Sequence, residues 1–150
     1  MKLEDEIKQK SFRSEHHKMV LNIYFTNNWL HDSQINIFKS FAITPQQFNL
    51  LRILRGQYPT PATINLLVER MLNKMCDASR LVEKLKKKGL VERVQCPEDR
   101  RAVNVLISEK GLKLLKEIDP LLDQMYDELS SILTVEEAKQ LNNLLDKLRK

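Results

Sequence analysis

The positively charged side chains of this chain are concentrated in one segment. Residues 70–101 contain ten Lys and Arg against five Asp and Glu, whereas the rest of the chain is balanced. The formal net charge of +5 therefore comes from that segment alone. A cationic surplus confined to one stretch is typical of a surface that contacts nucleic-acid phosphates.

The first half of this segment predicts a helix with a basic side and an apolar side. The pattern runs from about Asn73 and ends at Gly89, a residue that readily adopts the left-handed conformation common after helices. At 100° per residue, the apolar side contains Met75, Ala78, Leu81, Val82 and Leu85. The opposite side contains Asn73, Cys76, Arg80, Glu83 and Lys87, flanked by Asp77, Ser79 and Lys84.

Two β-rich runs follow, at residues 90–96 and 102–108. The charged residues 97–101, PEDRR, predict the tip of a hairpin between them. An arginine at such a tip is long enough to enter a DNA minor groove, which attracts cations most where it is narrow. Asp99 can orient one arginine through a charge-assisted hydrogen bond. A generic charged turn is the alternative, and the neighbouring basic helix favours the DNA contact.

Helical patterns lie on both sides of this segment. Residues from about 5 to 38 predict one long helix or two. Thr44 begins another helix with a capping box, and Thr60-Pro61 predict a further start. Two more helices are expected from about Ser108 and from Thr134, where a second capping box occurs.

The order helix, turn, helix, strand, tip, strand predicts a winged helix-turn-helix. The expected fold is mainly α with a small β-hairpin, in a single domain over residues 1–150. The winged lobe occupies about 44–108, and dimerisation helices occupy about 1–40 and 110–150. The second helix of such a motif lies in the major groove. Arg80 is then expected to form a bidentate contact to guanine or to clamp a phosphate.

Several charged side chains on this helix have two interpretations. Asp77 and Glu83 can each accept a hydrogen bond from cytosine or hold the arginine in position. The negative charge of Asp77 would equally stabilise the helix by interacting with the positive end of its dipole, and both interpretations stay open. For Lys86, Lys87 and Lys88, a solvated helix end or a loose phosphate contact is favoured.

Three motifs resemble the MarR family of bacterial transcription regulators. They are residues 79–93 (SRLVEKLKKKGLVER), residues 99–101 (DRR), which match the family's D-x-R pattern, and residues 107–111 (ISEKG). The resemblance in layout extends over nearly the whole chain. It implies that Arg80 contacts DNA from the recognition helix and that Arg101, oriented by Asp99, enters the minor groove. The predicted DNA-binding residues are Asn73, Lys74, Cys76, Asp77, Ser79, Arg80 and Lys84 on the helix, and Asp99, Arg100 and Arg101 at the tip.

The sequence departs from the family pattern in the turn and at the start of the recognition helix. Leu72 stands where many members have Gly in the turn, and Cys76 and Asp77 replace small hydroxyl residues. The base preference is therefore expected to differ from that of other members.

The resemblance also implies a homodimer, a near-palindromic double-stranded DNA site and control by a small aromatic or phenolic effector in a cleft between the lobe and the dimer helices. Independently, the terminal helices contain more apolar residues than a small winged lobe can cover. Helices that fold back on the core of the same chain are the alternative. The apolar positions are Val20, Ile23, Phe25, Trp29, Leu122, Leu129, Leu141, Leu144 and Leu148.

A thiol switch and a metal switch are weaker alternatives. Oxidation of Cys76 would add a bulky group to the predicted DNA-contacting side. The favoured interpretation is that Cys76 is an ordinary small residue without a redox role. Cys96 is expected to pack in a strand. His16, His17 and His31 are too few and too poorly spaced for a zinc site. We expect no metal and no cofactor.

The sequence also argues against several protein classes. The uncharged residues 19–31 are too short and too polar to span a bilayer, and the charged N-terminus has no signal-peptide pattern, so we expect a cytoplasmic protein. No phosphate loop, nucleophile elbow or paired acid and base predicts an enzyme. The leading hypothesis is a sequence-specific DNA-binding transcription regulator, a homodimeric repressor that responds to a small molecule. The alternative is a ligand- or thiol-sensing module that acts through protein partners and binds DNA weakly.

Overall fold

The computed structural model describes residues 1–95 and 103–149, which form seven helices and three short strands. In chain order the elements are α1 (Leu3–Glu6), α2 (Glu15–Lys39), α3 (Pro45–Gln57), β1 (Ala62–Thr63), α4 (Ile64–Arg70), α5 (Ala78–Lys87), β2 (Val91–Gln95), β3 (Val103–Ile107), α6 (Glu109–Ile132) and α7 (Val135–Leu148). This order confirms the predicted fold class, which is mainly α with a small β-hairpin.

The helical pattern predicted for residues 5–38 corresponds to two helices rather than one. After the single turn of α1 the chain leaves helical geometry, and Ser14 caps the start of α2 by accepting from the backbone N–H of His17 at 3.1 Å. Lys18 in α2 donates to the Glu4 carboxylate in α1. This ion pair fastens the short first helix to the long second one.

Both predicted capping boxes are present. At the start of α3, the Gln47 N–H donates to Thr44 Oγ1 and the Thr44 N–H donates back to Gln47 Oε1, each at 3.2 Å. At the start of α7, Thr134 and Glu137 form the same reciprocal pair. The two boxes satisfy backbone N–H groups that have no acceptor inside the helix.

The helix start predicted at Thr60-Pro61 is wrong. Residues 62–63 form β1, and α4 begins at Ile64 with Thr63 as its cap, accepting from the Leu66 N–H at 3.2 Å. Pairing with β3 holds these two residues extended, and that non-local pairing leaves no mark in the local sequence. Leu67 is buried, whereas Val68 is 36% exposed.

The predicted hairpin is present and belongs to a three-stranded antiparallel sheet in the order β1-β3-β2. Val91 pairs with Ile107 and Gln95 with Val103, so the two long strands run in register towards residues 96–102. Ala62 pairs with Val105 on the other side of β3. The third strand fixes the hairpin against the helical lobe.

One apolar core joins the lobe to α6. Side chains of α3 and α5 pack against the sheet and against the first half of α6. Its fully buried members include Phe38, Leu50, Leu51, Leu54, Leu67, Val82, Leu85, Ile107, Leu115 and Ile118. The predicted recognition helix and the base of the predicted wing therefore pack against the same apolar core. Among the described residues, no helix combines the length and the apolar character needed to cross a bilayer.

Candidate nucleic-acid interface

The predicted recognition helix is α5, and it begins later than the sequence pattern suggests. Asp77 is its N-cap, with Oδ1 accepting from the Arg80 N–H at 2.9 Å. Residues 73–76, predicted as its first turn, lie outside it, because the Asn73 side chain accepts from the Met75 N–H at 3.0 Å and holds a turn instead. Asp77 therefore stabilises the start of α5 as a cap, and its contact with a base stays a prediction.

Within α5, the separation into two sides agrees with the prediction. Ala78, Leu81, Val82 and Leu85 are buried. The exposed side chains on the opposite side and its shoulders are Ser79, Arg80, Lys84, Lys86 and Lys87. The four buried apolar side chains fix the orientation of α5, which exposes one Arg and three Lys to solvent.

The residues before α5 depart from the helical wheel. Met75, predicted on the buried side, is 93% exposed. Cys76, predicted on the exposed side, is half-buried and packs against the core. The wheel fails here because both residues precede the helix, where the 100° spacing does not apply. Asn73 and Lys74 are exposed, and Lys74 donates to the backbone carbonyl of Glu69 at the end of α4.

Two contacts join α5 to its surroundings. Glu83, proposed from the sequence as a base acceptor or a partner for arginine, forms an ion pair with Arg93 in β2. Lys88 donates to the backbone carbonyl of Ala42, which precedes α3. It also donates, at 3.1 Å, to Oε1 of Gln47 in the first turn of α3. Both side chains therefore position the helix, and Lys84, Lys86 and Lys87 remain as its exposed lysines.

The junction after α5 is tightly built. Gly89 has φ of +71°, as predicted for the residue that ends the helix. Ser108 Oγ donates to the Gly89 carbonyl at 2.7 Å and accepts from the Gly111 N–H at 3.1 Å, which caps α6. Gly111 lies so close to the chain that an added Cβ would fall 2.3 Å from the Leu90 carbonyl oxygen. The end of α5, the base of the predicted wing and the start of α6 are therefore held together by these close contacts.

The wing tip lies outside the described residues. Arg100 and Arg101, with Asp99 as the predicted orienting partner of Arg101, belong to it. Cys96, predicted to pack in a strand, also lies outside the described residues. The structure describes β2 up to Gln95 and β3 from Val103 onwards.

A cavity of about 510 Å³ opens between α2, α3 and α6. Aromatic, cationic and acidic side chains line it, among them Phe48, Arg52, Arg55, Asp119 and Tyr126. Arg55 Nη1 donates to both carboxylate oxygens of Asp119, and Arg52 Nη2 donates to Asn49 Oδ1 at 3.0 Å. The cavity lies where the winged lobe meets the long terminal helices.

A second, more apolar groove of about 430 Å³ runs between α2 and α6. Trp29, Leu121 and Ile132 are among its lining residues, and all three are exposed. No residue of α7 is buried, although Leu141, Leu144 and Leu148 follow one another on one side of that helix. Of the apolar positions predicted for the interface, Leu122 is buried in the chain's own core, and Ile23 and Leu129 are half-buried.

Residues 43–103 match the model of the MarR family. The matched stretch covers α3 to the start of β3, which is the described helix-turn-helix together with the base of its wing.

Over this stretch the chain is similar to the MarR family.

Other proteins are similar to this chain over most of its length. The HTH-type transcriptional regulator MhqR of Bacillus subtilis (strain 168) is 29% identical over 107 residues, which are 71% of this chain and 72% of MhqR. The organohalide-sensing regulator RdhR-CbdbA1625, solved with bound 2,4-dichlorophenol, superposes with a TM-score of 0.82 at 21% identity, covering 94% of this chain and 85% of its own. MepR of S. aureus, solved in complex with DNA, gives a TM-score of 0.76 at 22% identity, covering 86% and 92%. The two structural likenesses show that the fold is shared.

The sequence pattern missed two features of this site. Met75 was assigned to the buried side and is instead one of the most exposed apolar side chains. The pairing of Arg55 with Asp119 joins residues 64 positions apart, so no local spacing could indicate it. Among the described residues, no cluster of three His, Cys, Asp or Glu has metal-binding geometry.

Proposed function

We propose that this chain binds double-stranded DNA as a homodimer, with α5 in the major groove and the wing tip in the adjacent minor groove. The similarity to the MarR family and to the transcriptional regulator MhqR supports a DNA-binding transcription regulator. One observation carries the assignment of the contacts: Arg80, Lys84 and Lys87 project from α5 while its other side is fixed in the core. Arg80 is then the base-reading or phosphate-clamping residue, and the lysines neutralise phosphates.

The salt dependence of DNA binding tests this proposal. Each neutralised phosphate adds about one unit to the log–log slope of affinity against salt concentration. A dimer of the Lys84→Ala, Lys87→Ala variant loses four lysines, so its slope should be shallower than that of wild type by up to about four. Lys116→Ala, an exposed lysine of α6, is the control for loss of charge and should leave the slope unchanged. A flat slope for wild type would favour a module that acts through protein partners.

The wing assignment rests on the family resemblance and on the direction of the two paired strands. We expect Arg101→Ala to weaken binding most where the flanking DNA is rich in A and T, because a narrow minor groove attracts arginine most strongly. Arg80→Ala should instead weaken or relax recognition at major-groove positions. Equal losses for both variants on every flanking sequence would contradict the division between the two grooves.

A second copy of the chain is the proposed partner of the uncovered terminal helices. An isolated helix of about 14 residues is marginal in water, and α7 has that length without a buried residue. A symmetric dimer that covers α7 and the groove between α2 and α6 would supply the missing packing. It would also place two α5 helices about one DNA turn apart, as a near-palindromic site requires.

The cavity between the lobe and α6 is the proposed effector site. Phe48 and Tyr126 offer aromatic surface, and Arg52 offers a cation for a phenolate or carboxylate. A ligand there would act by binding one arrangement of lobe and dimer helices more tightly than another, and so release the repressor from DNA. The test uses 2,4-dichlorophenol, bound by RdhR-CbdbA1625, and benzoate as probes of operator release. Tyr126→Ala should abolish the response to whichever probe acts, and no response to either would contradict this ligand class.

A further inference from the structure

Met75 exposes a large apolar side chain on the surface assigned to DNA. It lies in the turn before α5 and is 93% exposed, in a segment where Lys74 and Arg80 are its charged neighbours. Single exposed apolar residues are common on protein surfaces. Here Leu72, three residues earlier in the same turn, is also 83% exposed. Leu72 lines the cavity between α2, α3 and α6, which accounts for its exposure, whereas Met75 lines neither of the two cavities described above.

The outward position of Met75 is set by its neighbours. Its backbone N–H donates to Asn73 Oδ1 at 3.0 Å, and the Cys76 N–H donates to the Asn73 carbonyl at 3.3 Å. On its other side, Cys76 packs against the core and Asp77 caps α5. The backbone on both sides of Met75 is therefore held, and its side chain is directed away from the protein.

The position of this residue determines what it can meet on DNA. In a helix-turn-helix, the N-terminal residues of the recognition helix contact the base edges. Met75 lies three residues before Ala78, the first residue of α5, and so borders those positions. Among the groups that the bases present in the major groove, the apolar one is the C5-methyl of thymine. A methionine is flexible and polarisable enough to follow such a methyl group. An ammonium or carboxylate at this position would instead select a phosphate or a hydrogen-bonding edge.

We propose that Met75 determines specificity for thymine through the C5-methyl group, at the edge of the bases contacted by α5. This inference rests on the proposed function, and it adds a base-reading residue that the helical pattern had assigned to the core. It also assigns a class of readout, apolar rather than hydrogen-bonded, to the segment before the helix.

Replacing thymine by deoxyuridine tests the proposal, because this removes the methyl group and leaves every hydrogen-bonding group in place. The operator is the sequence that the protein selects from random DNA, and each thymine is replaced in turn together with its symmetry mate. At one pair of symmetry-related thymines, replacement should weaken wild-type binding about fifteenfold, which is about fourfold for each half-site. Met75→Ala should bind the thymine and uracil operators equally. Met75→Leu should keep part of the discrimination. Lys116→Ala, which changes an exposed residue of α6 outside the proposed DNA surface, should keep all of it.

The possible results separate this inference from the function beneath it. Steep salt dependence with equal binding of thymine and uracil operators overturns the role of Met75 and leaves the DNA-binding assignment standing. Discrimination that persists in Met75→Ala also overturns it, because another residue then reads the methyl. Failure to bind any DNA overturns the proposed function and this inference together. Matching thermal unfolding of the variants and wild type shows that a loss of discrimination is not a loss of fold.

Discussion

Arg55 in α3 and Asp119 in α6 form an ion pair that joins the winged lobe to the long helix behind it. Arg55 Nη1 lies 3.0 Å from Oδ1 and 2.7 Å from Oδ2 of the Asp119 carboxylate, so one nitrogen donates to both oxygens. The pair lines the proposed effector cavity, and each side chain is a little over one-third exposed. A ligand that displaced either group would therefore act directly on the contact between lobe and dimer helices.

A double-mutant cycle measures the strength of this pair. With Arg55→Ala and Asp119→Ala, we expect a coupling of about 0.5–1 kcal/mol in the free energy of unfolding, since partly exposed ion pairs reach that range when their geometry is good. Urea unfolding at one fixed protein concentration gives the four values.

The control cycle uses Arg149 and Asp146, an ion pair within one turn at the end of α7 that is more exposed. Its coupling should be at most about 0.3 kcal/mol. If the Arg55–Asp119 coupling does not exceed that of the control, the ion pair does not stabilise the contact between the winged lobe and α6.

The corner at Gly111 predicts a large effect from one added methyl group. Gly111→Ala would place Cβ 2.3 Å from the Leu90 carbonyl oxygen, which also accepts from the Ser108 N–H at 3.1 Å and so has little freedom to move. We expect a loss of about 1–3 kcal/mol in the free energy of unfolding. Gly56→Ala is the matched control, because a Cβ at Gly56 in α3 would meet no atom within 4 Å. That variant should gain about 0.5–1 kcal/mol, since Ala favours helix more than Gly does. Similar changes for both variants would contradict the close packing at Gly111.

The uncovered face of α7 predicts an oligomer that charge can break. Leu144 is 64% exposed in the single chain, and Leu144→Glu would place a carboxylate in the proposed interface. Sedimentation equilibrium should show that the dimer dissociates at least tenfold more readily. Asn143→Glu adds the same charge on the opposite side of α7 and should leave dimerisation nearly unchanged. A wild-type chain that stays monomeric, or a Leu144→Glu variant that dimerises normally, would show that another surface covers these helices.

The hydrogen bonds that cap the start of α7 predict that the stability of this helix end depends on pH. The Thr134 backbone N–H, and then the Thr134 hydroxyl, hydrogen-bond the Glu137 carboxylate and lower its pKa below the ordinary value of 4.5. Because the folded pKa is depressed, the stabilisation is present above the unfolded pKa and is lost as pH falls through the folded one. Carboxyl ¹³C titration should give a Glu137 midpoint below 4.5 in wild type. Thr134→Ala removes the hydroxyl donor, so its midpoint should rise part of the way back. An unchanged midpoint would mean that the hydroxyl does not contribute.

Local sequence signals predicted the parts of this fold that local physics determines. Gly89 ends α5 in the left-handed conformation, and the boxes at Thr44 and Thr134 begin two helices, because these motifs satisfy backbone groups within a few residues. The buried side of α5 followed from its period, since every residue from Ala78 to Leu85 is helical.

The errors lie where long-range contacts or turn chemistry prevail. Thr60-Pro61 has the pattern of a helix start, but the next two residues pair with β3, which lies about 40 positions further along the chain. Met75 and Cys76 were assigned as helical because the pattern extended back to Asn73, whose side chain instead stabilises a turn. The Arg55–Asp119 contact depends on how α3 packs against α6, which no single-segment pattern contains.

The central claim is that two α5 helices, related by a two-fold axis, enter successive major grooves with Arg80 against the bases or phosphates. Selection of bound sequences from random double-stranded DNA by the purified protein tests it most directly. The predicted result is an enriched near-palindrome whose half-site centres lie about one helical turn apart, with reduced enrichment at the same major-groove positions for Arg80→Ala. Either no enriched sequence, or an enriched sequence without two-fold symmetry that Arg80→Ala recovers unchanged, would contradict it.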